Sequence, residues 1–252
     1  MTEMSQSRRP VTGLVRSLTL WANRRILWLS KHWLAALNLF FLIYVGLPFL
    51  APLLLANGYT GPANAIYTFY RAACHQLPSR SYFIMGEQVA FCQRDVAIYG
   101  SLLLGGLVFG LVRHRLKPLQ LRYYVFFLVP IALDGGMQLT SGLLRSGVQL
   151  ITLWIIGLIA LGITMAILNS QRYLTWHNIF FFVWGPLALI YLSRYPDYLS
   201  TWQSRTLTGF IFSFGTIWFV YPYLEDAFRD IWQEVDAKLV NVSGVNPPMS
   251  GR

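Results

Sequence analysis

Residues 96–117 read VAIYGSLLLGGLVFGLVRHRLK: an uncharged apolar run from 96 to 112, closed at once by Arg113, Arg115 and Lys117. A membrane-crossing helix needs about 20 mostly apolar residues, and a basic cluster at one end fixes which way it points. Comparable blocks occupy residues 33–55, 123–143, 148–168, 178–192 and 207–223. Six spans follow, and the fold class is all-α, a polytopic α-helical membrane protein. The block at 178–192 is short and interrupted by Gly185 and Pro186, so five spans with a re-entrant element is the competing count. The ten-residue alternation of a membrane barrel is absent.

Composition agrees. The 252 residues are 55% hydrophobic and 12% charged, whereas soluble domains carry about a quarter charged residues. The net charge of +10 does not signal nucleic acid, because the basic residues flank apolar blocks instead of forming one face. They set orientation. Arg8, Arg9, Arg16, Arg24, Arg25 and Lys31 precede the first span, and Arg113, Arg115, Lys117 and Arg122 follow the second. Both groups belong on one side, which places both termini in the cytoplasm and the intervening loop outside the cell membrane. No cleavable signal is evident, since the first apolar block starts near Trp33 after a long basic lead.

Three regions result: a basic cytoplasmic leader (1–32), a helical membrane domain (33–224) with its outer loop at 57–95, and an acidic cytoplasmic tail (225–252). Leu14, Leu18, Trp21 and Trp28 recur at helical intervals in the leader, suiting an interfacial helix on anionic lipid; a basic tail that only sets orientation is the plainer account. Glu225, Asp226, Asp230, Glu234 and Asp236 make a short acidic amphipathic helix, read first as solvated, with docking on the basic leader or on another protein as the alternative.

Both cysteines lie in the outer loop. Residues 62–71 have helical spacing, so Cys74 is expected to close a short helix ended by Leu77 and Pro78. The chain then crosses back through Tyr82, Phe83 and Ile84, turns at Gly86 and reaches Cys92 just ahead of span two, with Asp95 as its capping residue. Two thiols in one external loop suit a Cys74–Cys92 disulfide, worth about 3 kcal/mol by loop closure. Cys74, His75, Cys92 and Asp95 also form a candidate metal set for zinc, iron or copper. Against it, adjacent Cys and His do not always reach one ion, and Asp95 has its capping role. Arg71, Arg80 and Arg94 flank the thiols and suit a phosphate, carboxylate or lipid headgroup, with interfacial snorkelling as the commoner use.

The run CHQLPSRSYFIMGEQVAFCQRDVAIYGS, residues 74–101, resembles the signature of an uncharacterised family of bacterial and archaeal integral membrane proteins. Cys74, His75, Gln76, Pro78, Arg80, Ser81, Cys92, Arg94, Asp95, Tyr99 and Gly100 carry the match, which extends over residues 60–160 and takes in Asp134, Gly135 and Gln138. The resemblance implies a membrane fold and an important loop; it brings no activity. It also implies that the Asp95 position holds Cys in some relatives, which suits a metal ligand better than a disulfide partner and puts the two readings level.

Asp134 is the one carboxylate expected deep in a span, where burying a charge is expensive. Pro130, Asp134, Gln138 and Ser141 form one polar stripe, read as a relay or pocket wall, or equally as an interhelical packing bond. Ser101 with Gly105, and Gly106 with Gly110, make a packing seam. The first functional expectation is a non-enzymatic protein embedded in the lipid bilayer, whose Cys/His/Asp loop covers a polar pocket and handles an ion or small solute, working as a homo-oligomer. The alternatives are a membrane-embedded enzyme acting on lipid, quinone or thiol, for which no nucleophile–base motif appears, and a scaffold subunit of a membrane complex.

Overall fold

Apolar runs in lipid must satisfy their own backbone groups, and this chain does so with helices. The computed structural model describes residues 13–113, 115–170 and 198–243. Its helices are α1 (Leu14–Ala56), α2 (Thr60–Arg71), α3 (Gln93–Val112), α4 (Leu121–Arg145), α5 (Leu150–Ser170) and α6 (Trp202–Ser243). Four of them, α1, α3, α4 and α6, are long and apolar enough to cross a membrane, and α5 is a 21-residue helix without a charged side chain. The expected span at 178–192 lies outside the described residues.

Four local expectations change. The leader and the first span form one helix, with a break at His32 (φ −118, ψ 18), where the sequence suggested a boundary. On the leader segment Leu14, Leu18, Trp21 and Trp28 stay exposed, as an interfacial face requires. The outer loop is not purely helical: β1 (Ser81–Ile84) and β2 (Glu87–Cys92) pair antiparallel, Phe83 opposite Gln88 and Ile84 opposite Glu87, with a bulge between Ser81 and Phe83. Aromatic and β-branched residues favour this pleated form, and the two-residue turn has Met85 (φ 54) and Gly86 (φ 83) both left-handed, as such tight hairpins need. Cys92, not Asp95, is the N-cap of α3. Finally, the last span and the acidic segment are one helix of 42 residues running through Pro222.

Proline explains how these helices are tied together. A proline inside a helix leaves the carbonyl four residues back without its N–H partner, and in lipid that oxygen must find another donor. Pro48 frees the Tyr44 carbonyl, which accepts from the Tyr70 hydroxyl of α2 at 2.8 Å. Pro222 frees the Trp218 carbonyl, which accepts from the Leu119 N–H at 3.2 Å. Each kink residue thus becomes a tertiary joint.

The last helix, α6, packs against α1, α3 and α4. Small residues let the backbones approach. A Cβ on Gly105 would strike Ile217 of α6, and one on Gly106 would strike Asn38 of α1, so the seam on α3 serves two neighbours. Two aromatic clusters mark the ends of the bundle. One holds Tyr70, Cys74, Val89, Ala90 and Phe91, with Tyr44 and Tyr99 packed on it. The other holds Trp33, Leu34, Phe109 and Tyr221. There the acidic segment docks: Trp33 Nε1 donates to Glu225 at 3.0 Å, its ring stacks on Phe228 at 5.5 Å, and Lys31 sits over Trp232 at 5.1 Å. Of the two expectations, docking on the leader describes its first turns, held on α1 by Trp33 and Lys31, while Asp226, Asp230 and Glu234 stay exposed.

Candidate functional site

Cys92 occupies the position where strand becomes helix (φ −77, ψ 160), so its sulfur faces the first free N–H groups of α3. It accepts from the Asp95 N–H at 3.5 Å and donates its own proton to Asp95 Oδ2 at 3.0 Å. The sulfur thus caps α3 as a Ser or Thr hydroxyl would, while its proton goes to the Asp95 carboxylate. Cys74 lies three residues past α2, its N–H on the Tyr70 carbonyl at 2.9 Å and its sulfur accepting from the Gln76 N–H at 3.5 Å. Hairpin pairing carries Cys92 back beside it. The ligating atoms of Cys74, Cys92 and Asp95 lie within 4.8 Å of one another, and both cysteines are free thiols.

The two thiols are electrostatically unequal. A hydrogen bond from Cys92 draws the Cys74 thiol below its ordinary value, against the effect of burial. The same bond pushes Cys92 up, with burial and the Asp95 carboxylate acting in the same direction. Cys74 is therefore the thiol that ionises first, its thiolate held by its neighbour's proton.

Other signature residues build the frame. Gln76, in a left-handed conformation (φ 50), donates to the Tyr67 carbonyl at 2.7 Å and the Ala90 carbonyl at 3.3 Å, while its own carbonyl accepts from Gln88 at 2.7 Å. It thereby stitches α2 to β2. Ser81 accepts from Gln88 at 3.0 Å. Tyr99 stacks on Phe91 at 5.6 Å. Tyr70 is walled in by these rings, and burial, with Tyr44 adding to it, pushes its hydroxyl up to about 12.

His75 stands outside the thiol group. It is exposed and lines a pocket of about 430 Å³ together with Arg71, Glu87, Gln76 and Gln88. Arg71 is thus separated from the other two arginines of its expected trio. Those two turn toward α4, whose buried residues are Asp134, Gln138 and Ser141. Arg94 pairs with Asp134 through a short contact to Oδ2. The same carboxylate accepts from Tyr198 at 2.7 Å and from Ser200 at 2.8 Å. Arg80 donates from Nε and Nη2 to the Gln138 amide oxygen at 3.0 and 3.2 Å. Ser141 donates to the Tyr198 carbonyl at 3.1 Å.

Sequence reasoning passed over Arg205, Tyr198 and Ser200. Arg205, in the first turn of α6, is only 5% exposed and donates to Gln93 at 3.0 Å and to the Ser79 carbonyl at 3.2 Å. The available signal was a guanidinium at the edge of an apolar block; nothing in the sequence says that it folds inward.

Fold and site together define a multi-pass membrane protein with a thiol–carboxylate cluster at one end of its helices and a buried guanidinium–carboxylate network beside it. The chain belongs to the DUF2085 family of predicted membrane proteins, whose model matches residues 74–168. It is 33% identical over 119 residues to the uncharacterized protein MJ1492 of Methanocaldococcus jannaschii, an alignment covering 44% of this chain and 75% of that relative. No solved structure matches the chain. The family match opens on Cys74 and takes in both thiols, Arg80, Arg94 and the polar stripe of α4; Arg205 lies beyond it.

Proposed function

We propose that this protein holds a borderline or soft metal ion, of the zinc, iron or copper kind, between Cys74, Cys92 and Asp95. The observation that supports the reading is their convergence: two sulfurs and a carboxylate oxygen within 4.8 Å, drawn from three separate backbone positions. Two thiolates and a carboxylate are a donor set that such metals take. Three protein ligands leave a coordination position for water or a small solute, which is the form of a site that handles its ligand instead of merely fixing a fold. Cys74, the first to ionise, would anchor the ion, and Asp95 would exchange its bond to the Cys92 proton for the metal. His75 serves the neighbouring pocket in this reading and is not a ligand.

Basic residues on the leader and after α3 support an outward-facing hairpin with cytoplasmic termini. An outward face is oxidising in many bacteria, so adjacency of the two sulfurs equally supports a Cys74–Cys92 staple as the second reading. A chain this small that passes an ion or solute is expected to work as a homo-oligomer.

Elemental analysis of protein purified without chelator, with thiol labelling before and after reduction, separates the readings. Stoichiometric metal that disappears in Cys74→Ser and Cys92→Ser supports the metal centre. Metal-free protein whose thiols react only after reduction overturns it in favour of the staple. A membrane-impermeant label that reaches the loop only from the cytoplasmic side would reverse the orientation.

A further inference from the structure

Arg80, Arg94 and Arg205 come from three elements, a 3₁₀ turn at Pro78–Arg80, α3 and α6, and meet over the polar stripe of α4. Arg80 and Arg94 both act on Arg205 electrostatically, opposed by the Asp134 carboxylate and, after it, by the Cys92 sulfur, a thiol. Among the described residues, therefore, three guanidinium groups share one carboxylate, a surplus of two positive charges. Buried charge is costly unless paired, and this surplus sits largely out of water: Arg205 is 5% and Arg94 19% exposed.

Hydrogen-bond accounting gives the same answer independently. Among the described residues, the Nε atoms of Arg94 and Arg205 are both buried and both without a partner. A guanidinium is a fork of five donors with no acceptor, so only an acceptor can answer these two. The neighbouring protein groups are already committed: Asp134 to Arg94, Tyr198 and Ser200, Gln138 to Arg80, and Gln93 to Arg205. Gly135 lets the Arg94 guanidinium pack closely on α4, since a Cβ there would stand 3.2 Å from Nη1. The cluster reaches the surface at the exposed Ser79 and half-buried Arg80.

We infer that Arg80, Arg94 and Arg205 form a binding site for a dianionic phosphate group, either free phosphate or the phosphomonoester headgroup of a lipid. Charge selects the class: a surplus of two is met by a dianion, whereas a single carboxylate would leave one charge unanswered. Geometry agrees, because planar guanidinium forks match the oxygens of phosphate and several can share one tetrahedral ion. Asp134 tempers the site, keeping Arg94 oriented while lowering the affinity that three arginines alone would have. No residue of the proposed metal centre is required, so the two proposals fail separately.

Full-length protein in detergent, treated with chelator so that the thiol cluster holds no metal, is titrated with inorganic phosphate at constant ionic strength and followed by calorimetry. In parallel, protein in nanodiscs of phosphatidylcholine with or without phosphatidic acid is examined by native mass spectrometry for retained lipid. Saturable phosphate binding that weakens about tenfold or more in Arg80→Gln, the loss of a charge-assisted bond, assigns free phosphate. Selective retention of phosphatidic acid, lost in the same variant, assigns the headgroup. Arg80 is half-buried, so this variant is expected to fold; Arg205→Lys, which keeps the charge but loses the fork, should weaken binding as well. Folded Asp134→Asn protein should bind more tightly. The inference is overturned if neither probe binds saturably, if Arg80→Gln leaves binding unchanged, or if folded Asp134→Asn binds more weakly.

Discussion

The thiol cluster and the arginine cluster are separated by one residue, yet they are opposite kinds of site. Cys92 and Asp95 stand three apart at the head of α3, hence on one side of the helix; Arg94, between them, points elsewhere. On the thiol side every group has a partner: sulfur to amide, sulfur to carboxylate, sulfur to sulfur. On the arginine side, among the described residues, two buried donors have none and charge is in surplus. The first site is satisfied as it stands and would have to exchange bonds to take a metal. The second is unsatisfied and is completed by what it takes. Bond inventories of this kind distinguish a site that must be activated from one that is waiting for its ligand.

The contrast can be broken most severely at Arg94. Arg94→Ala strands the Asp134 carboxylate, which is 6% exposed, and should cost about 3–5 kcal/mol, read as a collapse of the thermal unfolding midpoint. Replacing both partners by apolar residues, Arg94→Met with Asp134→Leu, should recover most of that loss; no recovery would mean that Arg94 matters for something other than the pair. Next is Tyr70→Phe, which deprives the Tyr44 carbonyl freed by Pro48 and should cost about 1 kcal/mol. In a Pro48→Ala background, where the helix supplies its own N–H, the same change should cost almost nothing, and a cycle of the four proteins measures the difference. Asp95→Asn should leave stability within about 1 kcal/mol while exposing the asymmetry of the thiols: with the carboxylate gone Cys92 is no longer held up by it, so alkylation of Cys92 should begin at lower pH than in the parent. An unchanged pH profile, followed residue by residue by mass spectrometry, would remove Asp95 from the cluster. At the far end, Lys238→Ala breaks an exposed pair with Glu234 at 2.6 Å and should leave unfolding unmoved.

What the sequence made legible follows from chain distance. Helix periodicity put Asp134, Gln138 and Ser141 on one face, and all three are buried there. Four of the six apolar blocks and the turn at Gly86 were readable because each is a local pattern. The two thiols were readable as a pair because 18 residues and one hairpin separate them. Arg205 was not, since it reaches Gln93 across 112 positions and no local pattern marks an inward-facing arginine. The strands were missed because four to six residues of aromatic and small side chains carry little periodic signal. The unbroken α6 was missed for a different reason: Pro222 followed by acidic residues looks like an ending. Its freed carbonyl is answered by Leu119 from another segment, and only tertiary structure shows that.

That unbroken helix has a mechanical meaning. Arg205 and Glu225 are 20 residues apart on α6, about 30 Å at the helical rise, which is the thickness of a bilayer's hydrocarbon core. Glu225 is clamped to Trp33, and the helix continues to Ser243. From the Trp33 contact one arm runs about 30 Å to Arg205 and the other about 27 Å to Ser243, the second held against α1 through Phe228 and Trp232. Tilting the rod by 5° would sweep the free tip through about 2 Å. One continuous helix thus joins the arginine cluster to the Trp33 contact.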